Sequence, residues 1–191
     1  MLVPAGAMGL CSLVATYGHE QEFALNETMS NPRPLDRQIF ALVVFVLLCF
    51  AAAGIGNLFT APQIPGWYAK LAKPDWTPPS WLFGPVWSLL YLMMAVAAWL
   101  VWRRGELSRN KLPLIVFFIQ LALNTLWSVL FFGLQQPGYA AIEIVALLLA
   151  IGATAILFAR RSPLAAALLV PYLLWVSFAT ALNIAIWSMN R

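Results

Sequence analysis

The sequence predicts an all-α integral membrane protein, built as a bundle of five transmembrane helices. Of its 191 residues, 62% are hydrophobic and only 9% are charged, whereas a soluble domain carries roughly 25% charged residues. The apolar residues fall into five runs of about 20 residues, the length that spans the hydrocarbon core of a bilayer. Most of the basic residues lie at the ends of these runs or in the polar N-terminal segment. A water-soluble globule would have too little polar surface to cover it.

Two regions differ in composition. Residues 1–37 contain the polar stretch YGHEQEFALNETMSNPRPLDR, which predicts a flexible N-terminal tail. Residues 38–191 form the predicted transmembrane domain. Most connections between its apolar runs are short, so neighbouring helices must be antiparallel. The longest connection, 59–80, is predicted to be a loop. The expected helices are about 39–58, 81–102, 112–132, 139–159 and 163–189.

The distribution of basic residues predicts how the bundle is oriented. With five spans, the N-terminal tail shares one side of the membrane with the second and fourth loops. Eight Lys and Arg residues lie on that side and three on the other. Because cytoplasmic segments carry the excess of Lys and Arg, the N-terminus is expected to be cytoplasmic and the long first loop to face outward. The three outer basic residues are Lys70, Lys73 and Arg191.

Composition also argues against two kinds of site. The net charge of +4 does not indicate nucleic-acid binding, because the basic residues border apolar runs and form no stripe on a folded surface. His19 is the only histidine, and the two cysteines are Cys11 and Cys49. These residues give neither a disulfide framework nor a metal site, and no cofactor is expected to be required.

The second helix opens with the stretch KPDWTPPSWLFGPVWSLLYLMM. Trp81, Trp99 and Trp102 are explained by an aromatic belt at the two membrane interfaces. Trp87 lies deeper, and Tyr91 follows four residues later on the same face. The hydrocarbon offers no hydrogen-bond partner, so the indole N–H and the phenol O–H need partners from other helices or from a ligand.

The third helix carries amides on one face. Gln120, Asn124 and Trp127 are spaced by four and three residues. An amide at this depth is costly when it faces lipid, so this face should point into the bundle. Two alternatives stay open for Gln120 and Asn124: hydrogen bonds that hold the helices together, or a lining for a ligand.

The fifth helix repeats the pattern, with steps of three, four and four residues between its inward side chains. Pro171 is expected to kink this helix and free a backbone carbonyl. The small side chain of Ala179 leaves room for a planar guest. Three inward faces therefore combine aromatic rings with amides or hydroxyls, which suits a flat, largely apolar ligand with a few polar handles. The inward residues are Tyr172, Trp175, Ala179 and Asn183.

Glu143 is the only acid inside a predicted span. A buried carboxylate would be costly unless it is paired or protonated. Because Glu143 lies about one turn from the outer end of the fourth helix, it is expected either to reach the interface or to take part in proton transfer.

Three long stretches resemble the TspO family of tryptophan-rich membrane proteins. They are WYAKLAKPDWTPPSWLFGPVWSLLY (67–91), QLALNTLWSVLFFG (120–133) and PYLLWVSFATALNIAIWSMN (171–190). The stretches occur in the family's order and on the corresponding helices. The resemblance covers about residues 39–190, which is the whole bundle, and leaves the N-terminal tail outside it.

The resemblance implies a five-helix protein, often a homodimer, with a pocket under a lid formed by the first loop. It implies that the pocket binds porphyrins such as protoporphyrin IX, and synthetic isoquinoline carboxamides or benzodiazepines. It also implies light-dependent porphyrin breakdown through Trp87 and Trp175, and a role in tetrapyrrole or stress regulation in bacteria. The lining residues implied by the matching motifs are Tyr68, Trp87, Tyr91, Asn124, Trp127, Trp175, Ala179 and Asn183.

One departure from the family's animal members concerns sterols. Those members carry a tyrosine-containing cholesterol motif near the end of the fifth helix, whereas this chain has LNIAIWSMNR there, without a tyrosine. Such motifs are weak patterns even when complete, and sterol binding is not expected. A bacterial cell membrane is the expected location, or the mitochondrial outer membrane for a eukaryotic chain.

Four functions remain to be separated. The preferred one is a membrane sensor or carrier that binds tetrapyrroles. A secondary transporter is the second, although the chain shows no inverted repeat and no pair of broken helices. A porphyrin-degrading photo-oxidative enzyme is the third, although the sequence shows no nucleophile–base pair. A scaffold whose partner binds the bundle surface is the fourth.

Overall fold

The computed structural model describes residues 34–104 and 107–191, and these residues form helices and connecting segments without a β-strand. Asp36–Arg191 forms one compact unit, to which the bundle belongs. Five helices are long and apolar enough to cross a membrane, which confirms the predicted fold class. Nearly all of the predicted tail, 1–37, lies outside the described residues. The helices are α1 (Leu35–Thr60), α2 (Ser80–Arg103), α3 (Leu107–Ser128), α4 (Pro137–Ala159) and α5 (Pro163–Met189).

The first connection is more helical than the sequence indicates. A loop was expected from Phe59 onward, but α1 continues to Thr60 and is followed by a 3₁₀ turn, Ala61–Gln63, and a π-helical turn, Ile64–Tyr68. Each turn has a proline at one of its first two positions, where the missing N–H of proline is tolerated. The chain therefore passes both prolines by changing helical pitch, and apolar helix extends over Leu35–Tyr68.

The remainder of this connection is fastened to the end of α5. The Asn190 side-chain amide donates to the Ala72 carbonyl at 2.9 Å and accepts from the Ala72 N–H at 3.0 Å. Lys73 Nζ donates to the carbonyls of Tyr68 and Leu71 at 2.8 and 2.9 Å. These bonds hold the segment over the end of the bundle where α1 ends and α2 begins, which is called the outer end below after its predicted orientation.

The core of the bundle lies between α2, α3, α4 and α5. Helix α4 packs between α3 and α5, and α5 packs between α4 and α2. Met94, Phe117, Phe158 and Tyr172 are fully buried at the centre, and the rings of Phe117 and Phe158 stack at 6.0 Å. Leucines on the outer faces stay exposed, as expected for side chains that contact lipid.

Helix α1 contacts α3 at several points along its length. The rings of Phe45 and Phe118 stack with their centroids 6.4 Å apart. Further along, a Cβ at Gly56 would lie 3.1 Å from the Ser128 hydroxyl, so the two backbones approach closely there. This position of α1 leaves the side of α2 that faces it partly uncovered.

The turn between α4 and α5 depends on a buried cap. Ser162 is fully buried, and its hydroxyl accepts a hydrogen bond from the Ala165 N–H at 3.3 Å. We expect Ser162→Ala to lower the free energy of unfolding by about 1 kcal/mol, because an orphan helix N–H loses its partner. Equilibrium unfolding in mixed micelles measures this change.

Ser177→Ala is the matched control, since the Ser177 hydroxyl is exposed and bonds only to the Leu173 carbonyl of its own helix. Equal stability of the Ser162→Ala and Ser177→Ala proteins would contradict the role assigned to the cap.

Candidate ligand-binding site

A cavity of about 620 Å³ opens inside the outer half of the bundle. Its walls come from α1, α2, α3, α5 and the two π-helical segments, and they are mostly aromatic and aliphatic. The structure brings all eight residues of the expected site to this one cavity. They are Tyr68, Trp87, Tyr91, Asn124, Trp127, Trp175, Ala179 and Asn183.

A chain of buried hydrogen bonds forms the floor of the cavity. The Tyr91 hydroxyl donates to Asn124 Oδ1 in a short hydrogen bond, and Asn124 Nδ2 donates to the Tyr172 hydroxyl at 2.9 Å. The Tyr172 hydroxyl in turn donates to Gln120 Oε1 at 2.9 Å. Gln120 Nε2 lies 3.7 Å from Met94 Sδ. The chain links α2, α3 and α5 at one level of the membrane.

The hydrogen bonds give the two amides of α3 different roles. Gln120 bonds to side chains of α5 and α2 and does not line the cavity, so it holds helices together. Asn124 does both, because it bridges two tyrosines and also lines the cavity. Tyr172, which the spacing placed on the inward face of α5, is fully buried beneath the floor.

A second pair of polar groups fixes the opposite wall. Trp127 Nε1 donates to Asn183 Oδ1 at 2.9 Å, and Asn183 Nδ2 donates to the Pro137 carbonyl at 2.8 Å. The ring of Trp127 stacks on Phe131 at 5.1 Å. The Trp127 indole therefore has its partner within the protein, and the bond sets the orientation of the ring.

The indole N–H of Trp175 has no such partner. It is buried and makes no hydrogen bond within the described part of the chain. The ring is held by an edge contact with Phe83 at 5.9 Å and by a tilted contact with Phe178 at 5.6 Å. Because Trp175 lines the cavity, its N–H is a buried donor available to a ligand with an acceptor.

Trp87 faces the cavity from α2. Its ring lies 5.8 Å from Tyr91 and meets Tyr172 edge-on at 6.2 Å. Trp87 is thus placed by the same two tyrosines that Asn124 bridges. Ala179 adds space between the aromatic groups of α5.

Tyr68 closes the outer end of the cavity. It is buried and packs against Phe132 at 5.6 Å and Phe131 at 6.4 Å. Lys73 Nζ lies 4.9 Å from the centre of its ring, a cation–π contact. Tyr68, which the resemblance placed in the lid formed by the first loop, is therefore part of the cavity wall.

Comparison with known proteins identifies the family. The model of the TspO/MBR family matches residues 45–188. The chain is 43% identical over 152 residues to the tryptophan-rich protein TspO of Archaeoglobus fulgidus, covering 80% of this chain and 98% of the relative. It is 42% identical over 160 residues to the tryptophan-rich protein TspO of Chlorobaculum tepidum, covering 82% and 99%. It is 41% identical over 139 residues to the human translocator protein, covering 72% and 82%.

The chain belongs to the TspO/MBR family.

Membership in the TspO/MBR family confirms the resemblance found in the three tryptophan-rich stretches. Together with the five apolar helices, it establishes an integral, multi-pass membrane protein that associates with the lipid bilayer. The archaeal and bacterial relatives agree with the predicted location in a cell membrane. Orientation across the membrane and dimerisation stay predictions.

Sequence reasoning missed the contribution of α1 to the cavity. Phe50, Gly54 and Asn57 line it from α1, and Phe83 and Gly84 line it from α2. Helix α1 is apolar around its whole circumference, so its pattern does not reveal which face is inward. Asn57 and Thr60 are the polar side chains in its outer half; both line the cavity and were the available signal.

Glu143 lies apart from this site. It is buried and does not line the cavity, and its carboxylate oxygens make no hydrogen bond within the described residues. The expectation that it reaches the interface is wrong, because both oxygens are shielded inside the bundle. A role in proton transfer stays a prediction.

The floor can be tested through Asn124. We expect Asn124→Leu to lower the free energy of unfolding by about 1–3 kcal/mol, because two buried tyrosine hydroxyls lose a partner. Thermal unfolding in detergent measures this loss. Asn57→Leu is the control, since no hydrogen bond within the described residues involves the exposed Asn57 side chain. A stability of Asn124→Leu equal to that of the control would show that the bridge contributes nothing.

Proposed function

We propose that this protein is a membrane sensor or carrier whose cavity binds a tetrapyrrole such as protoporphyrin IX. The observation that carries the proposal is the buried N–H of Trp175, which lies in the wall of an aromatic cavity and has no hydrogen-bond partner among the described residues. A protein rarely buries such a donor without a partner. A ligand with an acceptor oxygen would provide that partner.

The size and lining of the cavity support a flat, mainly apolar ligand. Its volume of about 620 Å³ lies within the roughly 300–1,000 Å³ of typical ligand sites. Trp87 and Trp175 supply ring faces and edges, which favour stacked or edge-on contact with another aromatic system. A porphyrin offers a large planar ring and carboxylates at its rim.

The polar groups around the cavity support selectivity. Asn183 and the Trp127 N–H are already paired, and both sides of the Asn124 amide are bonded to tyrosines. These groups keep their positions when the cavity is empty, so little ordering is required on binding. The free donor of Trp175 then selects for an acceptor at one place on the ligand.

The family's names support the sensor or carrier role and do not decide between them. Relatives are called translocator protein and tryptophan-rich sensory protein, and the cavity is compatible with either activity. Binding is common to both. The porphyrin is proposed as a ligand and not as a required cofactor.

The binding proposal predicts that Trp175→Phe and Trp87→Phe weaken binding of protoporphyrin IX by roughly 3- to 10-fold each. Trp175→Phe removes a hydrogen-bond donor, and Trp87→Phe removes aromatic contact area, each worth about 0.5–1.5 kcal/mol. The porphyrin absorbance band should report the affinity, because its signal does not depend on the number of tryptophans left in the protein.

Trp99→Phe is the matched control. Trp99 lies outside the cavity, and its N–H bonds to the Gln38 carbonyl at 2.9 Å. Wild-type affinity in the Trp87→Phe and Trp175→Phe proteins would remove the cavity as the binding site and favour the scaffold alternative.

A further inference from the structure

The cavity extends sideways between α1 and α2. Apart from Trp81, six residues line the cavity and are also exposed on the outside of the bundle. On each helix they are spaced by three or four residues, so they form one stripe along one face. These stripes border a cleft that connects the cavity to the surface. The α1 stripe is Phe50, Gly54 and Asn57, and the α2 stripe is Ser80, Gly84 and Ser88.

The cleft exists because α1 leans toward α3 at this level. The Thr125 hydroxyl lies 3.5 Å from the Ala52 carbonyl, and Gly56 meets Ser128 closely. Helix α1 is joined to α2 by the hydrogen bond from the Trp99 N–H to the Gln38 carbonyl. This bond connects the start of α1 with the end of α2, at the end of the helices that lies away from the cleft.

The cleft lies at the depth of the lipid chains. A helix rises 1.5 Å per residue, so Gly84 and Ser88 lie about 6 and 12 Å along α2 from Ser80. Gly54 lies about 9 Å before the end of α1 at Thr60. The hydrocarbon core is about 30 Å thick, so these positions of the two spanning helices face acyl chains. The Ser88 hydroxyl bonds to the Gly84 carbonyl at 2.9 Å and leaves no polar barrier there.

The outer end of the cavity is closed, unlike the cleft between α1 and α2. Tyr68 is buried against Phe131 and Phe132. The segment that follows it is tied to α5 by the paired hydrogen bonds between Asn190 and Ala72. A ligand that arrived from water would have to break these contacts, whereas the cleft is open as it stands.

The geometry points to lateral exchange: the ligand enters and leaves the cavity from the bilayer, between α1 and α2, and Gly54 and Gly84 keep the passage open. This inference rests on the proposed binding function. It restricts the ligand to molecules that partition into lipid. A Cβ added at Gly54 or Gly84 would meet no atom within 4 Å, so larger side chains can narrow the passage without a clash in the bundle.

The double variant Gly54→Leu/Gly84→Leu tests the passage. In proteoliposomes preloaded with protoporphyrin IX, we expect its binding and release rates both to fall by about tenfold or more. A barrier on the path slows both directions, whereas a damaged site would raise the release rate. Stopped-flow measurement of the porphyrin signal gives the two rates.

Gly152→Leu is the matched control. Gly152 also has no atom within 4 Å of an added Cβ, lies in α4 and does not line the cavity. The control should gain the helix propensity of one Gly→Leu change, as each half of the double variant does, and keep wild-type rates. Equal rates in the double variant and the control would overturn lateral exchange and leave the binding function standing.

A second readout does not depend on the porphyrin. A phospholipid with a photoreactive group on its acyl chain should label peptides that contain Phe50 and Ser88 in the wild type, and label them several-fold less in the double variant. Absence of this labelling in the wild type would overturn the open cleft. Labelling without any porphyrin binding by the wild type would instead overturn the proposed function and keep the cleft.

Discussion

The Asn124 amide, which bridges the hydroxyls of Tyr91 and Tyr172, is the interaction on which the site depends. It joins α3 to α2 and α5 at a depth where water cannot replace a lost hydrogen bond. An unsatisfied polar group costs several kcal/mol in hydrocarbon, so the three helices are held at one distance and rotation. The same two tyrosines contact Trp87, and the bridge thereby sets both the floor and one wall of the cavity.

Above this floor, the helices are not close-packed, because the cavity lies between them. Aromatic side chains line a cavity of about 620 Å³, and the Trp175 N–H has no partner among the described residues. Both features lower stability, and such features concentrate at functional sites. The fixed parts offset this: Trp127 and Asn183 are locked to the start of α4, and Asn190 secures the first connection. Helix α1 contacts α3, and the cleft between α1 and α2 stays open to lipid.

The sequence predicted the parts of this site that obey helical spacing. Trp87 and Tyr91, or Trp175 and Ala179, share a face because the helix has 3.6 residues per turn, and a buried amide must face inward. The contribution of α1 to the cavity was missed, because α1 is mostly apolar on all its faces and only Asn57 and Thr60 mark the inward one. The helix beyond Phe59 was missed because Pro62 and Pro65 normally mark a loop, and only a change of pitch accommodates them. Spacing alone also predicted the same two possible roles for Gln120 and Asn124. The hydrogen bonds show that Gln120 only joins helices, whereas Asn124 also lines the cavity.

A structure determined with protoporphyrin IX in a lipid environment tests the central claim most directly. The account predicts ligand density inside the cavity, with the ring between Trp87 and Trp175, an acceptor atom within hydrogen-bond distance of the Trp175 N–H, and the Asn124 bridge unchanged beneath it. Density on the outer surface of the bundle, with the cavity unfilled and the Trp175 N–H still unpaired, would contradict it.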